Sequence, residues 1–307
     1  MNALQDIYLI NQFPNFHAPG FDRERYDNIF RENNVIINAE SSHVEYGDHW
    51  GPLSVKCAFN GREFYRSDSR TVAVDDDSFL IFNEGKVYSS YIRSETKVRS
   101  FTINFSPSFV DAVYASMTAA DPDQAFSGTS PVRFAEQLYR HDRTLSPLFH
   151  RLRSLSLQLH ANKEQIADLY TELLQRLFAT QQQVRTDVER IGAVRPSTKQ
   201  ELHTRLHRAK DLIDSCFTEE LTLDQIAAAA MMAPVHCLRE YKKNFGCTPH
   251  QYLIRRRIRE AERLLRRGTM TVSEVCLAVG YSDLSSFSKL FKSRTGTAPE
   301  QYRRRES

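Results

Sequence analysis

Thr222-Leu223-Asp224-Gln225-Ile226-Ala227 returns 49 positions later as Thr271-Val272-Ser273-Glu274-Val275-Cys276. Further on, Gly246-x-x-Pro249-x-x-Tyr252 returns as Gly296-x-x-Pro299-x-x-Tyr302, now at an offset of 50. One residue is therefore inserted in the middle of the second copy. Each copy begins with a polar N-cap, Thr222 or Thr271, followed by a short apolar helix, a turn and a second helix rich in Lys. The second helices are expected over Pro234 to Phe245 and Asp283 to Arg294. In the later copy Gly280 supplies the turn, because it adopts a positive φ without a side-chain penalty. Two short helices around a tight turn make a helix-turn-helix, whose second helix can enter a DNA major groove. Between the copies, Ile254, Ile258, Ala261, Leu264 and Leu265 lie at helical spacing. They predict a connecting helix over Pro249 to Arg267 that holds the units apart.

Charge agrees with that reading. Residues 199–307 hold 20 Lys plus Arg against 13 Asp plus Glu, whereas residues 1–198 hold 21 against 25. The overall balance of +3 thus hides a basic third beside a slightly acidic remainder. Such asymmetry points to a nucleic acid or another anionic surface. A repeated helical hairpin could serve packing alone, but duplication and basic second helices together favour DNA.

The rest of the 307-residue chain reads differently. Leu53, Val55, Cys57 and Phe59 alternate with polar or small residues, and Asn60-Gly61 then predicts a type I′ hairpin whose return strand opens at Phe64-Tyr65. Strands are expected at Thr71 to Val74, Phe79 to Phe82, Val87 to Ile92 and Val98 to Phe105. Their spacing of about ten residues argues for an antiparallel barrel or sandwich. After Pro107 the period becomes helical, with Phe109, Val110, Val113 and Met117. Two amphipathic helices follow between Leu145 and Phe178. Phe149, Leu152, Leu155 and Leu159 form one stripe; Ile166, Leu169, Leu173, Leu174 and Leu177 form the other. These stripes exceed what a small barrel needs and are read as a dimerisation surface. Residues 181–198 are polar, hold Gly192 and Pro196, and read as a linker. The expected organisation is an α+β chain of two domains, with a barrel and helical pair over 1–180 and an all-α double helix-turn-helix over 199–307.

Composition excludes some classes. Hydrophobic residues at 41% and charged residues at 26% describe an ordinary globular chain, and no apolar run reaches the roughly twenty residues that span a bilayer. No membrane association is expected. Met1 to Ile10 lacks the pattern of a signal peptide, and five scattered cysteines read as reduced thiols, so a cytoplasmic protein is expected.

Residues of about 205–303 resemble the DNA-binding domain of AraC/XylS-type transcriptional regulators. The matching features are Leu223-x-x-Ile226-Ala227, Arg239-x-Tyr241-Lys242-Lys243, the two Gly-x-x-Pro-x-x-Tyr segments and Arg257-Ile258-x-x-Ala261-x-x-Leu264-Leu265. The second copy adds Val275-Cys276-x-Ala278-Val279-Gly280-Tyr281-Ser282-Asp283 and Phe287-Ser288-Lys289-x-Phe291-Lys292. More loosely, the N-terminal strands and helices are similar to the family's cupin-like sensing and dimerising domain. The resemblance implies a sequence-specific regulator of double-stranded DNA, working as a homodimer, responsive to a small-molecule effector, and by family habit an activator that meets RNA polymerase. One departure is Met231, which stands where the family usually has the turn glycine.

Helical geometry and the resemblance together nominate Val235, His236, Leu238 and Arg239 in the first unit, with Leu284, Ser285, Ser288 and Lys289 in the second, as base readers. Arg239 stands out because a guanidinium can bond guanine O6 and N7 together. Lys242, Lys243, Lys292 and Arg294 suit phosphate contacts, which set affinity and salt dependence. Tyr241, Phe287, Phe291 and Tyr302 are expected in the core, and the runs Arg255-Arg256-Arg257 and Arg303-Arg304-Arg305 on solvated faces. For an effector in the barrel the candidates are His43, Trp50, Tyr65, Arg66, Phe82, Tyr88 and Tyr91. His43-x-Glu45 and Asp48-His49 could hold a metal, but the His-x-His spacing of metal-dependent cupins is absent, so neither metal nor cofactor is expected. No hydrolase, nucleotide-binding or metalloprotease motif occurs, so no enzyme is expected. Two alternatives stay open: constitutive DNA binding without an effector, and a cupin-type enzyme fused to a DNA-binding domain.

Overall fold

The computed structural model describes residues 7–16, 18–68, 70–120, 133–158, 162–191 and 196–306. It forms two compact units, Met1–Gly192 and Ala193–Ser307. The first mixes a sheet with helices and the second is wholly helical, an α+β chain. Among the described residues no helix is long and apolar enough to cross a membrane.

The first unit opens with β1 (Ile7–Ile10) and α1 (Arg23–Glu32), followed by β2 (Asn34–Trp50), β3 (Leu53–Phe59), β4 (Glu63–Ser67), β5 (Arg70–Val74), β6 (Ser78–Phe82) and β7 (Val87–Phe105). It continues with α2 (Pro107–Ala120), β8 (Leu138–Arg140), α3 (Ser146–Leu155) and α4 (Lys163–Glu189). The spine is β7, one strand where the sequence suggests two. Its second half lies between β2 and β3, while its first half pairs with β2 and β4. From this spine one arm runs β3-β6-β8 and the other β4-β5. Among the described residues no ladder joins β5 to β6 or β1 to β8, so the expected barrel does not close. The sheet is not purely antiparallel either, since β1 pairs with β2 in parallel.

The expected hairpin at Asn60-Gly61 is corrected too. Asn60 and Gly61 both have positive φ, 64° and 153°, yet β4 does not return along β3. Both edges of β3 are already occupied, by β6 and β7, so β4 pairs instead with β5 and the far half of β7. The alternation in β3 has a cause other than solvent. Leu53, Val55, Cys57 and Phe59 face a core shared with the helices, including Phe149, Leu152, Leu169, Leu173 and Leu177. Ala58 joins a second core with Tyr65, Val72, Leu80, Phe82, Tyr88 and Ile92 between the two arms. Every residue of β3 is buried.

That packing overturns the reading of the leucine stripes. Leu148, Phe149, Leu152, Ile166, Leu169, Tyr170, Leu173, Leu174 and Leu177 are all buried against their own sheet, so these stripes offer no dimerisation surface. Leu159 lies outside the described residues. Tyr170 fixes α4 to the sheet by donating its hydroxyl to the Val35 carbonyl at 3.3 Å and to that of Asn104. The supposed linker also changes: α4 runs on to Glu189, and within that extension Gln181 and Val188 are buried. Gln181 accepts from the Ala135 amide at 3.0 Å, a tie that low hydrophobicity concealed.

The second unit strings together α5 (Pro196–Cys216), α6 (Leu223–Ala229), α7 (Pro234–Phe245), α8 (Pro249–Arg267), α9 (Val272–Ala278), α10 (Leu284–Thr295) and α11 (Pro299–Glu306). The repeat becomes two helix pairs, α6-α7 and α9-α10, each with its own core. Helix α8 serves both, sending Leu253 into the first core and Ile258, Ala261 and Leu265 into the second. Thr222 and Thr271 close α6 and α9 with capping boxes, worth about 1 kcal/mol each.

A buried histidine gives this unit a pH-dependent stability. His207 on α5 packs beside His203, ring centroids 4.3 Å apart, and edge-on to Phe245 at 5.4 Å. Burial, then the His203 and Lys210 charges, hold its pKa well below the ordinary 6.5. The folded state therefore keeps it neutral while the unfolded state protonates near pH 6.5. Stability should fall as pH drops below about 6.5, by up to roughly 1.4 kcal/mol per pH unit. Urea unfolding of the full chain, followed by helix signal, should show this slope in the C-terminal transition. An unchanged slope in His207→Gln would refute the assignment.

Candidate nucleic-acid interface and ligand cavity

In each helix pair the second helix is held by its inner face and displays the other. In α7, Cys237 and Tyr241 are buried one turn apart; in α10, Phe287 and Phe291 do the same. Those anchors fix the register between copies at an offset of 50 within the second helices. Val235 is thus equivalent to Ser285, His236 to Ser286, and Arg239 to Lys289, while Leu284 matches Pro234. The inserted residue lies at the turn, before α10. Ser286, exposed on the first turn of α10, was missed for that reason. The one-residue shift in the repeat was the signal that could have found it.

Exposure divides the nominated residues. Val235 is 79% exposed and its neighbour His236 is exposed as well; Leu284, Ser285, Arg239 and Lys289 also face outward. Leu238 and Ser288 are half-buried. Arg239 is held ready by a 2.9 Å contact between Nη2 and His236 Nδ1 and by Nε donating to Glu240 Oε1 at 3.2 Å. Lys242, Lys243, Lys292 and Arg294 are exposed in the last turns of their helices. Their charge there also opposes the negative helix end.

Tyr241, Phe287 and Phe291 are fully buried and Tyr302 packs beside Phe291, as the sequence suggests. The Arg255-Arg256-Arg257 run is a correction. Only Arg255 is exposed, whereas Arg256 is 2% exposed and Arg257 donates to the Phe217 and Glu219 carbonyls at 2.6 and 2.7 Å. In the last run Arg304 is exposed, Arg303 pairs with Glu300 at 2.9 Å, and the Arg305 side chain lies outside the described residues.

The first unit contains a cavity of about 80 Å³ between the two arms of the sheet and a strap of aromatic residues. Of the nominated effector residues, Trp50, Tyr65 and Tyr88 line it. His43, Arg66, Phe82 and Tyr91 do not. Phe82 stacks behind Tyr88 at 4.5 Å in the core, Tyr91 stacks on Phe64 at 4.9 Å, and Arg66 lies against Tyr91. His43 touches Ser42 at 3.3 Å on an exposed stretch. The residues that sequence reasoning missed are Lys56 and Glu63, each 4% exposed. Lys56 Nζ donates to Tyr88 Oη at 2.7 Å and lies 4.8 Å from that ring's centre. Burial pulls the Lys56 amine down to about 7 and pushes the Glu63 carboxyl up. Both sit at alternating positions of strands, a pattern that reads equally well as a solvent face.

A family model described as a helix-turn-helix domain matches residues 226–305. The chain is similar to the "Bifunctional transcriptional activator/DNA repair enzyme AdaA" of Bacillus subtilis (strain 168), 32% identical over 93 residues, 30% of this chain and 44% of that protein. It is similar also to the "Probable transcription factor PqrA" of Proteus vulgaris, 31% identical over 85 residues, 28% of this chain and 70% of that protein. Among solved structures, the C-terminal domain of AraT, a response regulator from Geobacillus stearothermophilus, is 32% identical with a TM-score of 0.32. That likeness covers 34% of this chain and 86% of the other. The chain thus spans less than half the length of the first of these relatives.

Proposed function

The chain belongs to the AraC/XylS-type family of transcriptional regulators, and from that premise we propose that it is an effector-responsive activator reading two adjacent major grooves with α7 and α10. The observation that carries this reading is the duplication: two helix pairs of one build, each with an exposed basic side chain, Arg239 or Lys289, at the same position. Recognition helices about 34 Å apart meet successive grooves on one face of the duplex. Arg239 would bond a guanine edge, Val235 would meet a thymine methyl, and Ser285, Ser286 and Lys289 would read the second element. Lys242, Lys243, Lys292 and Arg294 would neutralise phosphates. Leu284, at the very start of α10, would touch the groove wall.

In this proposal the first unit is the cupin-like sensor, its cavity the effector site, and the active form a cytoplasmic homodimer that contacts RNA polymerase. Dimer contacts would lie away from the α3 and α4 stripes, which are consumed internally. Occupation of the cavity would favour one DNA-binding geometry over another, by no more than the ligand's differential affinity for the two states.

The test is selection of genomic fragments by the purified protein at physiological salt, with and without metabolite extract. A discrete motif with two elements about one helical turn apart is expected, and extract should change its recovery. Fragments without a motif would overturn the two-groove reading. Arg239→Ala should weaken the selected operator by roughly 1–3 kcal/mol and leave random DNA unaffected. Equal losses on both would remove Arg239 from the base readers.

A further inference from the structure

Two buried, oppositely charged side chains face one cavity without touching. Among the described residues, Lys56 makes one hydrogen bond, to Tyr88, and no ion pair; the Ser100 and Tyr65 hydroxyls approach the Glu63 carboxyl, but its buried Oε2 has no partner at hydrogen-bond geometry. Both line the cavity. The other carboxylate there, Asp27, is already paired with Arg23 at 3.0 Å. A buried acceptor left without a donor costs about 1–3 kcal/mol, so Glu63 Oε2 marks a position where a ligand's donor would be rewarded.

From this geometry we infer that the cavity binds a small uncharged aromatic alcohol, a phenol with a single ring. The inference rests on the sensor reading of the first unit and names the ligand class of that site. Three arguments converge. The first is charge. Lys56 and Glu63 together are neutral whether the proton sits on one or the other. An anionic ligand would require Glu63 to take up a proton, and a cation would require Lys56 to give one up, whereas an uncharged ligand leaves the pair's balance unchanged. The second is hydrogen bonding. A phenolic oxygen lying between the two can donate to Glu63 Oε2 and accept from Lys56 Nζ at once. The third is shape. The opposite wall is built from Phe13, Phe16, Tyr26, Phe30, Tyr46 and Trp50. Phe16 packs against Tyr26 at 5.5 Å and Tyr46 at 4.9 Å, spacings at which a further flat ring completes edge and face contacts. About 80 Å³ is roughly half the 150 Å³ or so that holds a benzene in an engineered apolar cavity, so a single ring enters only as the aromatic strap gives way, and fused rings and long acyl chains are excluded.

The chain's single tryptophan, Trp50, lies in that wall, so its fluorescence reports on the cavity alone. The experiment titrates the full-length protein at neutral pH with phenol, benzoate, benzylammonium and cyclohexanol. A saturable change with phenol is expected, at concentrations at least about tenfold lower than for the other three. Linear quenching, or binding of a charged or non-aromatic probe within threefold of phenol, would overturn the inference. Lys56→Met and Glu63→Gln should each weaken phenol about tenfold. Removing a buried charge can also unfold the unit, so Gly51→Ala provides a second route. Its added Cβ would come within 2.9 Å of Tyr88 Cε1 and narrow the cavity without altering any charge. Unchanged phenol binding in folded Gly51→Ala would count against the site. Metabolite extract separates the two levels of the argument. If extract shifts DNA selection or Trp50 emission while phenol does neither, the ligand class is wrong and the sensor stands. If extract and phenol are both silent, the sensor reading fails with it.

Discussion

Arg256→Ala should lower the stability of the C-terminal unit by about 3 kcal/mol, a larger effect than the loss of any exposed arginine on the recognition helices. Arg256 is 2% exposed in the middle of α8. Its guanidinium lies 3.7 Å from Asp214 on α5, donates to Glu260 Oε2 at 3.3 Å, and sits 4.2 Å from the centre of the Phe217 ring. Removing one member of a buried ionic cluster leaves its partners desolvated and typically costs about 3–5 kcal/mol. Two features pull the value toward the lower end. Asp214 keeps Lys210 at 3.0 Å and the Tyr252 hydroxyl at 2.8 Å, and Glu260 keeps Arg263. Burial alone would raise the Glu260 pKa, but the Arg263 hydrogen bond and the charges of Arg263 and Arg256 more than reverse it. The truncation also empties the space against Phe217, so the cost does not vanish. Arg256→Met, which keeps the packing volume, should cost less than Arg256→Ala. Urea unfolding of the full chain separates the units, because Trp50 reports only the first while the helix signal reports both. A loss under about 1 kcal/mol in the C-terminal transition would mean that the cluster is solvated.

How far the sequence could lead is clear from residues such as these. The duplicated helix pairs were legible because two signals coincided: a repeat whose offset changes from 49 to 50, and apolar residues at helical spacing in both copies. Arg256 was not, because three consecutive arginines look like a solvated face. Yet Leu253, Arg256 and Glu260 lie three and seven residues apart on one side of α8, the side that is buried. In the first unit the strands were legible and their pairing was not. Asn60-Gly61 has the right chemistry for a hairpin, but pairing is decided by which strand edges remain free, a long-range fact. The same holds for Lys56. Alternation in β3 shows that its two sides differ, and only the second layer of structure reveals that the polar side faces a cavity. Leucine stripes likewise show that a helix has a buried face without saying whether a sheet or a second chain buries it.

Gly280→Ala should cost about 2–4 kcal/mol, and the reverse exchange at the equivalent place in the other copy, Met231→Gly, should stabilise by up to about 1 kcal/mol. The two turns are built alike. Met231 donates its amide to Ala228 at 2.9 Å as Gly280 does to Leu277 at 3.0 Å, and the next residues, Met232 and Tyr281, bond back to Ala227 and Cys276, both at 3.0 Å. Both turn residues have positive φ, 51° at Met231 and 85° at Gly280. For a residue with a side chain that conformation costs roughly 1–2 kcal/mol, a strain that Met231 carries and glycine would relieve, with part of the gain returned as greater freedom of the unfolded chain. What distinguishes the two places is the space beyond. Met231 is 56% exposed, and Arg208 Nη1 lies 3.7 Å from its Sδ. At Gly280 a Cβ would strike the Thr218 carbonyl oxygen and come within 2.9 Å of its carbonyl carbon and 3.0 Å of its Cα. Backbone cannot rotate out of the way, so the segment after α5 must shift, and overpacking of that kind adds about 1–3 kcal/mol. One turn thus tolerates a side chain at the price of strain, and the other excludes it. Urea midpoints of the C-terminal transition in the two variants and the parent chain decide the matter. A neutral Gly280→Ala would mean that the loop at Thr218 does not press on the α9–α10 turn, and a destabilised Met231→Gly would mean that the methionine's contacts outweigh its backbone strain.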